Sequence, residues 1–234
     1  MNRLNKFREV FTNRHVILPV IHVESEGQAL LNVIIAKDAE CDGVFLINHS
    51  MRYTELLQIH HKMYERFPDW WIGVNCLDVR THDIFNKISN EVAGVWVDDA
   101  YVDERLEKQT DAEDIKNFRL KSGWEGLYFG GVAFKYKRTV EDFTRAACIA
   151  AKYMDVVTTS GPGTGLAADR EKIKAMKMGA RNNPLAIASG ITPENIDEYL
   201  DVADCFLVAT GVSKNFTQLD SEKLKALVRN LNSR

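Results

Sequence analysis

Several signatures are missing from this 234-residue chain, and each absence argues against a class of function. No uncharged apolar run is long enough for a bilayer, so no segment is expected to span a membrane. No C-x-x-C pair and no H-E-x-x-H occurs, which argues against zinc modules and zinc hydrolases. The four cysteines, Cys41, Cys76, Cys148 and Cys205, each lie in or beside an apolar stretch and read as buried reduced thiols. Cys76 is the least ordinary of them, because it ends a probable strand. No G-x-G-x-x-G follows the first strand, and the glycine-rich run 160–165 carries no Gly-Lys-Ser/Thr, so neither a dinucleotide fingerprint nor a P-loop is present. Basic residues are scattered and the net charge is −3, which argues against a nucleic-acid surface. The first fifteen residues lack the apolar core of a secretion signal. They read instead as an amphipathic helix with Leu4, Phe7, Val10 and Phe11 at helical spacing, suited to close the bottom of a fold. A cytoplasmic protein is expected.

What is present is alternation. Apolar runs of strand length fall at 16–23, 43–49, 70–77, 94–100, 126–134, 156–161, 185–190 and 205–211. Helix-period segments separate them, at 27–40, 53–66, 81–91, 111–122, 139–153, 169–180, 193–201 and 220–232. Thr192-Pro193 and Asp220-Ser221 supply helix starts. Near-continuous apolar strands suit a parallel sheet covered on both faces. Eight strand–helix units over this length predict a (β/α)₈ TIM barrel, one domain over 1–234, with an open doubly wound sheet as the rival.

In such a barrel the chemistry sits at the C-terminal ends of the strands, and a phosphate commonly binds the last two loops. There the sequence offers Ser189, Gly190 and Ile191, then Thr210, Gly211, Val212 and Ser213. Small residues let backbone N–H groups approach an anion, and a short helix opening near Val212 would add its positive end. The plain alternative is two tight turns. The reacting groups expected are Glu24, Asp98 or Asp99, and Lys135. Alternation lets only one of the two aspartates face the mouth; the other would cap a helix. Asp98, Asp99, Asp103 and Glu104 make an acidic stretch that is compatible with Mg²⁺. Lys135 could steady negative charge or, with its pKa lowered, form a Schiff base; a solvated loop lysine is the ordinary reading. His22, Asn48, Asn75, Thr159, Ser160, Gly163 and Thr164 also end strands or follow them, as does His49, and the first seven are taken as substrate-contacting candidates. His22 shares a strand face with Glu24, although core or supporting packing is the more ordinary fate for it. His60 and His61, mid-helix, are read as structural or exposed. Trp70, Trp71, Trp124 and Tyr136 are available to an interface between copies of the chain or to packing.

The C-terminal third, DVVTTSGPGTGLAADREKIKAMK, PLAIASGITPENIDEYLDVADCFLVATGVSK and LDSEKLKALV, resembles the BtpA/SgcQ family. The shared order is a threonine- and glycine-rich end of strand six, S-G-I-T-P-E-N, an aspartate-led strand closing on a small residue and threonine, and a final helix. The resemblance implies a barrel of the ribulose-phosphate-binding type; the family takes its name from a role in photosystem I biogenesis. The chain departs from the family pattern after the first strand, where PVIHVESEG keeps Ile21-His22 without the family's prolines, after the second, INHSMRY, and after the fifth, GGVAFKYKR. It therefore reads as a divergent branch with its own ligand. The leading expectation is an enzyme on a phosphorylated small molecule (a sugar phosphate or nucleotide), as lyase, isomerase or transferase. The competing ones are a non-catalytic assembly factor that keeps the phosphate site, and a metal-dependent hydrolase using the strand-four acids.

Overall fold

The computed structural model describes residues 3–232, and the side chains of residues 6–231. Eight parallel strands close into a barrel in chain order. The elements are α1 (Arg3–Val10), β1 (Val16–Val23), α2 (Glu26–Asp38), β2 (Gly43–Asn48), α3 (Tyr53–Arg66), β3 (Trp71–Asn75), β4 (Gly94–Val97) and α4 (Thr110–Ser122). They continue with β5 (Leu127–Gly131), α5 (Phe143–Ala150), β6 (Val156–Thr159), α6 (Arg170–Ala180), β7 (Leu185–Ile187), β8 (Cys205–Val208) and α7 (Ser221–Asn232). Closure is made by β1 against β8, from Val16 opposite Cys205 to Pro19 opposite Val208. No helix among the described residues is long and apolar enough to cross a membrane.

The period-two pattern divides the apolar residues into two cores. Val16, Leu18 and Val20 of β1 face the barrel interior with Phe45, Ile47, Trp96, Phe129, Val156, Ala186 and Leu207. Ile17, Ile21 and Val23 face outward with Val44, Leu46, Val157 and Ile187, against helix residues such as Ala29, Val33, Leu56 and Ile173. Phe7 and Phe11 of α1 are buried in the inner core and plug its N-terminal end. The Phe11 ring packs against Trp71, centroids 5.3 Å apart. Leu4 of the expected helix stripe lies outside the residues whose side chains are described. Space for the Trp71 ring comes from its neighbours: a Cβ on Gly94 would lie 2.2 Å from it, and one on Gly73 2.8 Å.

Two of the expected helices are reduced to short 3-10 turns, Ile84–Asn86 and Ile196–Tyr199. Both segments are short and rich in Asn and Asp, whose side chains compete for the backbone groups a helix needs. Where helices do form, the caps are in place. Ser25, Asp142 and Asp169 accept backbone N–H bonds at the starts of α2, α5 and α6. Asp220 accepts from Glu222 and Lys223 at the start of α7. Several strands end two or three residues before the sequence predicts; the polar and glycine residues there leave the sheet and build the mouth. His60 is buried, its Nε2 3.1 Å from the Ile72 carbonyl, while exposed His61 pairs with Glu91.

Candidate active site

The C-terminal mouth holds a cavity of about 250 Å³, floored by Val20, Ile47, Trp96, Ala188 and Leu207 of the inner core. Polar groups ring its rim.

On one side lie the loops after β7 and β8. Gly190 has φ +67°, and a Cβ there would lie 2.3 Å from backbone atoms of Leu166 and Ala167. A Cβ on Gly211 would lie 2.1 Å from the Ile191 carbonyl oxygen. These contacts bring the two loops together and explain why both positions are glycine. Among the described residues the N–H groups of Gly190, Ile191, Thr210 and Gly211 donate no hydrogen bond. Those of Val212 and Ser213 do: they turn back onto the Ala209 and Thr210 carbonyls within the 3-10 turn Thr210–Val212. Val212 and Ser213 are thus not the free donors that the spacing suggests. The hydroxyls of Ser189 and Ser213 are committed as well, Ser189 to the Gly163 and Leu166 carbonyls and Ser213 to Ala209. Ser189 therefore fixes the glycine-rich loop after β6 in place, with Thr164 and Gly165 on the cavity wall.

On the other side stand His22, His49, Asp98 and Lys135. His22 and His49 end the inward faces of neighbouring strands, and alternation from their β1–β2 register places them side by side. Nδ1 of His22 lies 2.7 Å from Nε2 of His49. Phe216, from the loop after β8, stacks on the His22 ring at 4.2 Å between centroids. Gln28 and Asn32 of α2 hold that loop by donating to the Thr217 carbonyl. Burial, the neighbouring His49 and the Lys135 charge push the His22 pKa down to about 4. Burial also lowers His49, against the pull of Asp98.

Asp98 follows Trp96 on the inward face of β4 and accepts a bond from Asn75 Nδ2 at 3.1 Å. Burial raises its pKa, against the hydrogen bond and the charges of Lys135 and Lys137. Burial likewise lowers Lys135, with Asp98 as the largest opposing influence. The mouth thus holds a carboxyl group, an amine and two imidazoles, each displaced toward its neutral form. A carboxyl, an amine and imidazoles are the side chains that serve as general acids and bases.

The other expected positions take different places. Glu24 is exposed and does not line this cavity; β1 ends at Val23, and the partner of His22 is His49 instead. Asp99 points away from the cavity and its Oδ1 accepts the Tyr101 N–H, a turn cap. Asn48 is consumed by Met51, Asp78 and Leu77, tying the loop after β2 to the loop after β3. Asn75 positions Asp98 and lies outside the cavity. Thr159 follows Val157 on the outward face and donates to the Ala133 carbonyl. The Ser160 hydroxyl accepts the Lys135 N–H and donates to Gly161. The acidic stretch is an ion-pair latch rather than an oxygen cage. Asp103 is held well below the usual range by the Arg105 hydrogen bonds, and Glu104 is held down by Arg138, with a pKa of about 2. No group of three or more His, Cys, Asp or Glu side chains converges among the described residues. Burial pushes the Cys76 thiol up to about 12, so it is no nucleophile at neutral pH.

A (β/α)₈ barrel with titratable groups at one rim of its mouth and paired glycine loops at the other is the class that fold and site define. Within it, residues 130–233 match the model of the BtpA family, a span from the end of β5 through α7. No curated protein matches the sequence. Among solved structures, phosphoribosyl anthranilate isomerase from Thermus thermophilus is similar at 17% identity and TM-score 0.63, over 93% of this chain and 98% of that one. Tryptophan synthase subunit alpha from Legionella pneumophila is similar at 12% identity and TM-score 0.70, over the whole of both chains. (S)-3-O-geranylgeranylglyceryl phosphate synthase from Thermoplasma acidophilum, solved with sn-glycerol-1-phosphate, is similar at 14% identity and TM-score 0.66, again over both whole chains. These likenesses concern the fold.

Proposed function

We propose that this protein is an enzyme that binds a phosphorylated small molecule across the barrel mouth. The phosphate lies against the backbone N–H groups of Gly190, Ile191, Thr210 and Gly211. The reacting end lies toward Asp98, Lys135 and the His22–His49 pair. One observation carries this reading: two glycine loops touch, their amides lack protein partners, and they border the same cavity as the displaced acid, amine and imidazoles. Backbone amides that converge on one point bind anions without a cationic side chain. The phosphorylated substrates named for two of the similar barrels accord with it. Asp98 is the proton carrier, and the reaction classes that suit a carboxyl beside an amine are lyase and isomerase chemistry.

Titration calorimetry tests the binding step. Inorganic phosphate and ribose 5-phosphate are expected to bind the wild type with one site per chain, and Gly190→Ala is expected to abolish both. The added methyl would collide with the Leu166 and Ala167 backbone and push apart the loops that present the amides. Wild-type protein that gives no heat with either compound would overturn the reading. An assembly factor that keeps the site predicts the same binding but no turnover; where turnover is found, an Asp98→Asn variant that leaves it unchanged removes Asp98 from the chemistry.

A further inference from the structure

Lys135 is presented to the cavity by a turn under unusual constraint. Ala133 and Tyr136, on either side of it, have φ of +50° and +61°. Non-glycine residues rarely adopt this backbone, and where it persists the surroundings must hold it. Here they do. Lys172 Nζ donates to the Ala133 and Ser160 carbonyls at 2.6 and 2.7 Å. Thr159 donates to the same Ala133 carbonyl, and Lys135 donates its own N–H to Ser160 Oγ at 2.7 Å. The Tyr136 hydroxyl accepts the Thr164 N–H at 3.2 Å. A turn fixed at four points delivers one side chain whose end is left unengaged. Among the described residues Lys135 Nζ makes only a contact with the Phe134 ring, 5.7 Å from its centroid, and no ion pair. Lys62 and Lys177, by contrast, are paired with carboxylates, and Lys172 is spent on carbonyls.

We infer that Lys135 is a covalent catalytic residue, whose amine condenses with the carbonyl carbon of a short phosphorylated aldehyde or ketone. The inference rests on the phosphate site proposed above, since the phosphate would hold the carbonyl across the cavity from Gly190. The volume of about 250 Å³ suits a sugar phosphate rather than a larger ester. The Nζ lone pair forms the new C–N bond as the C=O π pair moves onto oxygen, and one Nζ proton passes to that oxygen, giving a neutral carbinolamine. Protonated Asp98 then gives its proton to the carbinolamine hydroxyl, which leaves as water. The products are an iminium on Lys135 and a carboxylate on Asp98, so charge and atoms balance. The lowered amine and raised carboxyl pKa values described above favour both partners in the form this needs. The iminium draws electrons from the adjacent carbon, and the neutral His22–His49 pair faces the same space to accept a proton from it.

Borohydride trapping decides the matter. The full chain is incubated separately with glyceraldehyde 3-phosphate, dihydroxyacetone phosphate and ribose 5-phosphate, reduced with sodium borohydride, and measured by intact mass and peptide mapping. The expected result is one reduced adduct per chain on Lys135 with at least one compound, suppressed by inorganic phosphate and lost in Lys135→Met. Mapping on wild-type protein makes the result independent of how that variant folds. The inference is overturned if none of the three labels Lys135, or if label is spread over surface lysines alone. Phosphate binding by calorimetry separates the two failures. Heat without an adduct leaves the phosphate site standing and removes the covalent step; neither heat nor adduct removes both.

Discussion

At the scale of single residues, the mouth gathers groups that burial shifts toward their neutral forms. Asp98 has a folded pKa above its unfolded value, so the folded state holds its proton to higher pH. Stability contributed by that proton is present below the unfolded pKa and is lost as pH rises through the folded pKa. At neutral pH the residue is therefore a liability to stability. Asp98→Asn is expected to raise stability by about 1 kcal/mol while removing turnover, and urea unfolding at pH 7 measures the first part. An unchanged or lower midpoint would contradict the burial argument. His22 has the opposite sign. Its folded pKa, about 4, lies below the ordinary imidazole value, so the unfolded chain binds the extra proton. Stability should fall as pH drops from about 6.5 toward 4. His15, His49 and His60 are lowered by burial too and share in the effect. His22→Gln should lessen the loss of melting temperature over that interval without cancelling it. Sequence reasoning named Asp98 and Lys135 as strand-end groups, and both line the mouth cavity. It named Glu24 for the same reason, and Glu24 lies outside that cavity, because strand alternation predicts a face only while the strand lasts.

At the scale of elements, every strand was legible from its apolar run, and β1 and α3 fall on their expected boundaries. What period alone does not carry is register. The His22–His49 contact depends on Val23 standing opposite Asn48, a pairing between segments about two dozen residues apart. Phe216 had no signal at all: it lies in a polar loop and reaches the site only because α2 anchors Thr217. α1 was legible as amphipathic, and its role as a plug follows from Phe7 and Phe11. Phe7→Ala should cost about 3–5 kcal/mol, the usual range for removing a fully buried aromatic ring. Chemical denaturation gives that number. A loss below about 1 kcal/mol would mean that the barrel floor can close without the helix.

At the scale of the whole molecule, the site is divided between the two halves of the barrel. The span that matches the BtpA model supplies the glycine loops and Lys135. The span before it supplies His22, His49 and Asp98. This division explains why the sequence speaks of a ligand class more readily than of a reaction: the loops after β6, β7 and β8 carry a recognisable pattern, whereas the imidazoles and Lys135 lie where the segments after β1, β2 and β5 depart from it. It also makes a prediction about stability. The proposed anion-binding amides follow β7 and β8, and β8 closes the barrel on β1. Opening that seam separates the inner core, so ligand bound at those loops should stabilise the entire fold and not one loop. At a concentration of about 100 times Kd, binding adds about 2.7 kcal/mol to the folded state. For a chain of this size that corresponds to a rise of about 5–10 °C in melting temperature. Scanning calorimetry in increasing ribose 5-phosphate should show one transition moving upward as a whole. Hydrogen exchange should show protection spread to β1 as well as to the loops after β7 and β8. Protection confined to those loops, with the melting temperature fixed, would mean that the anion site is uncoupled from barrel closure.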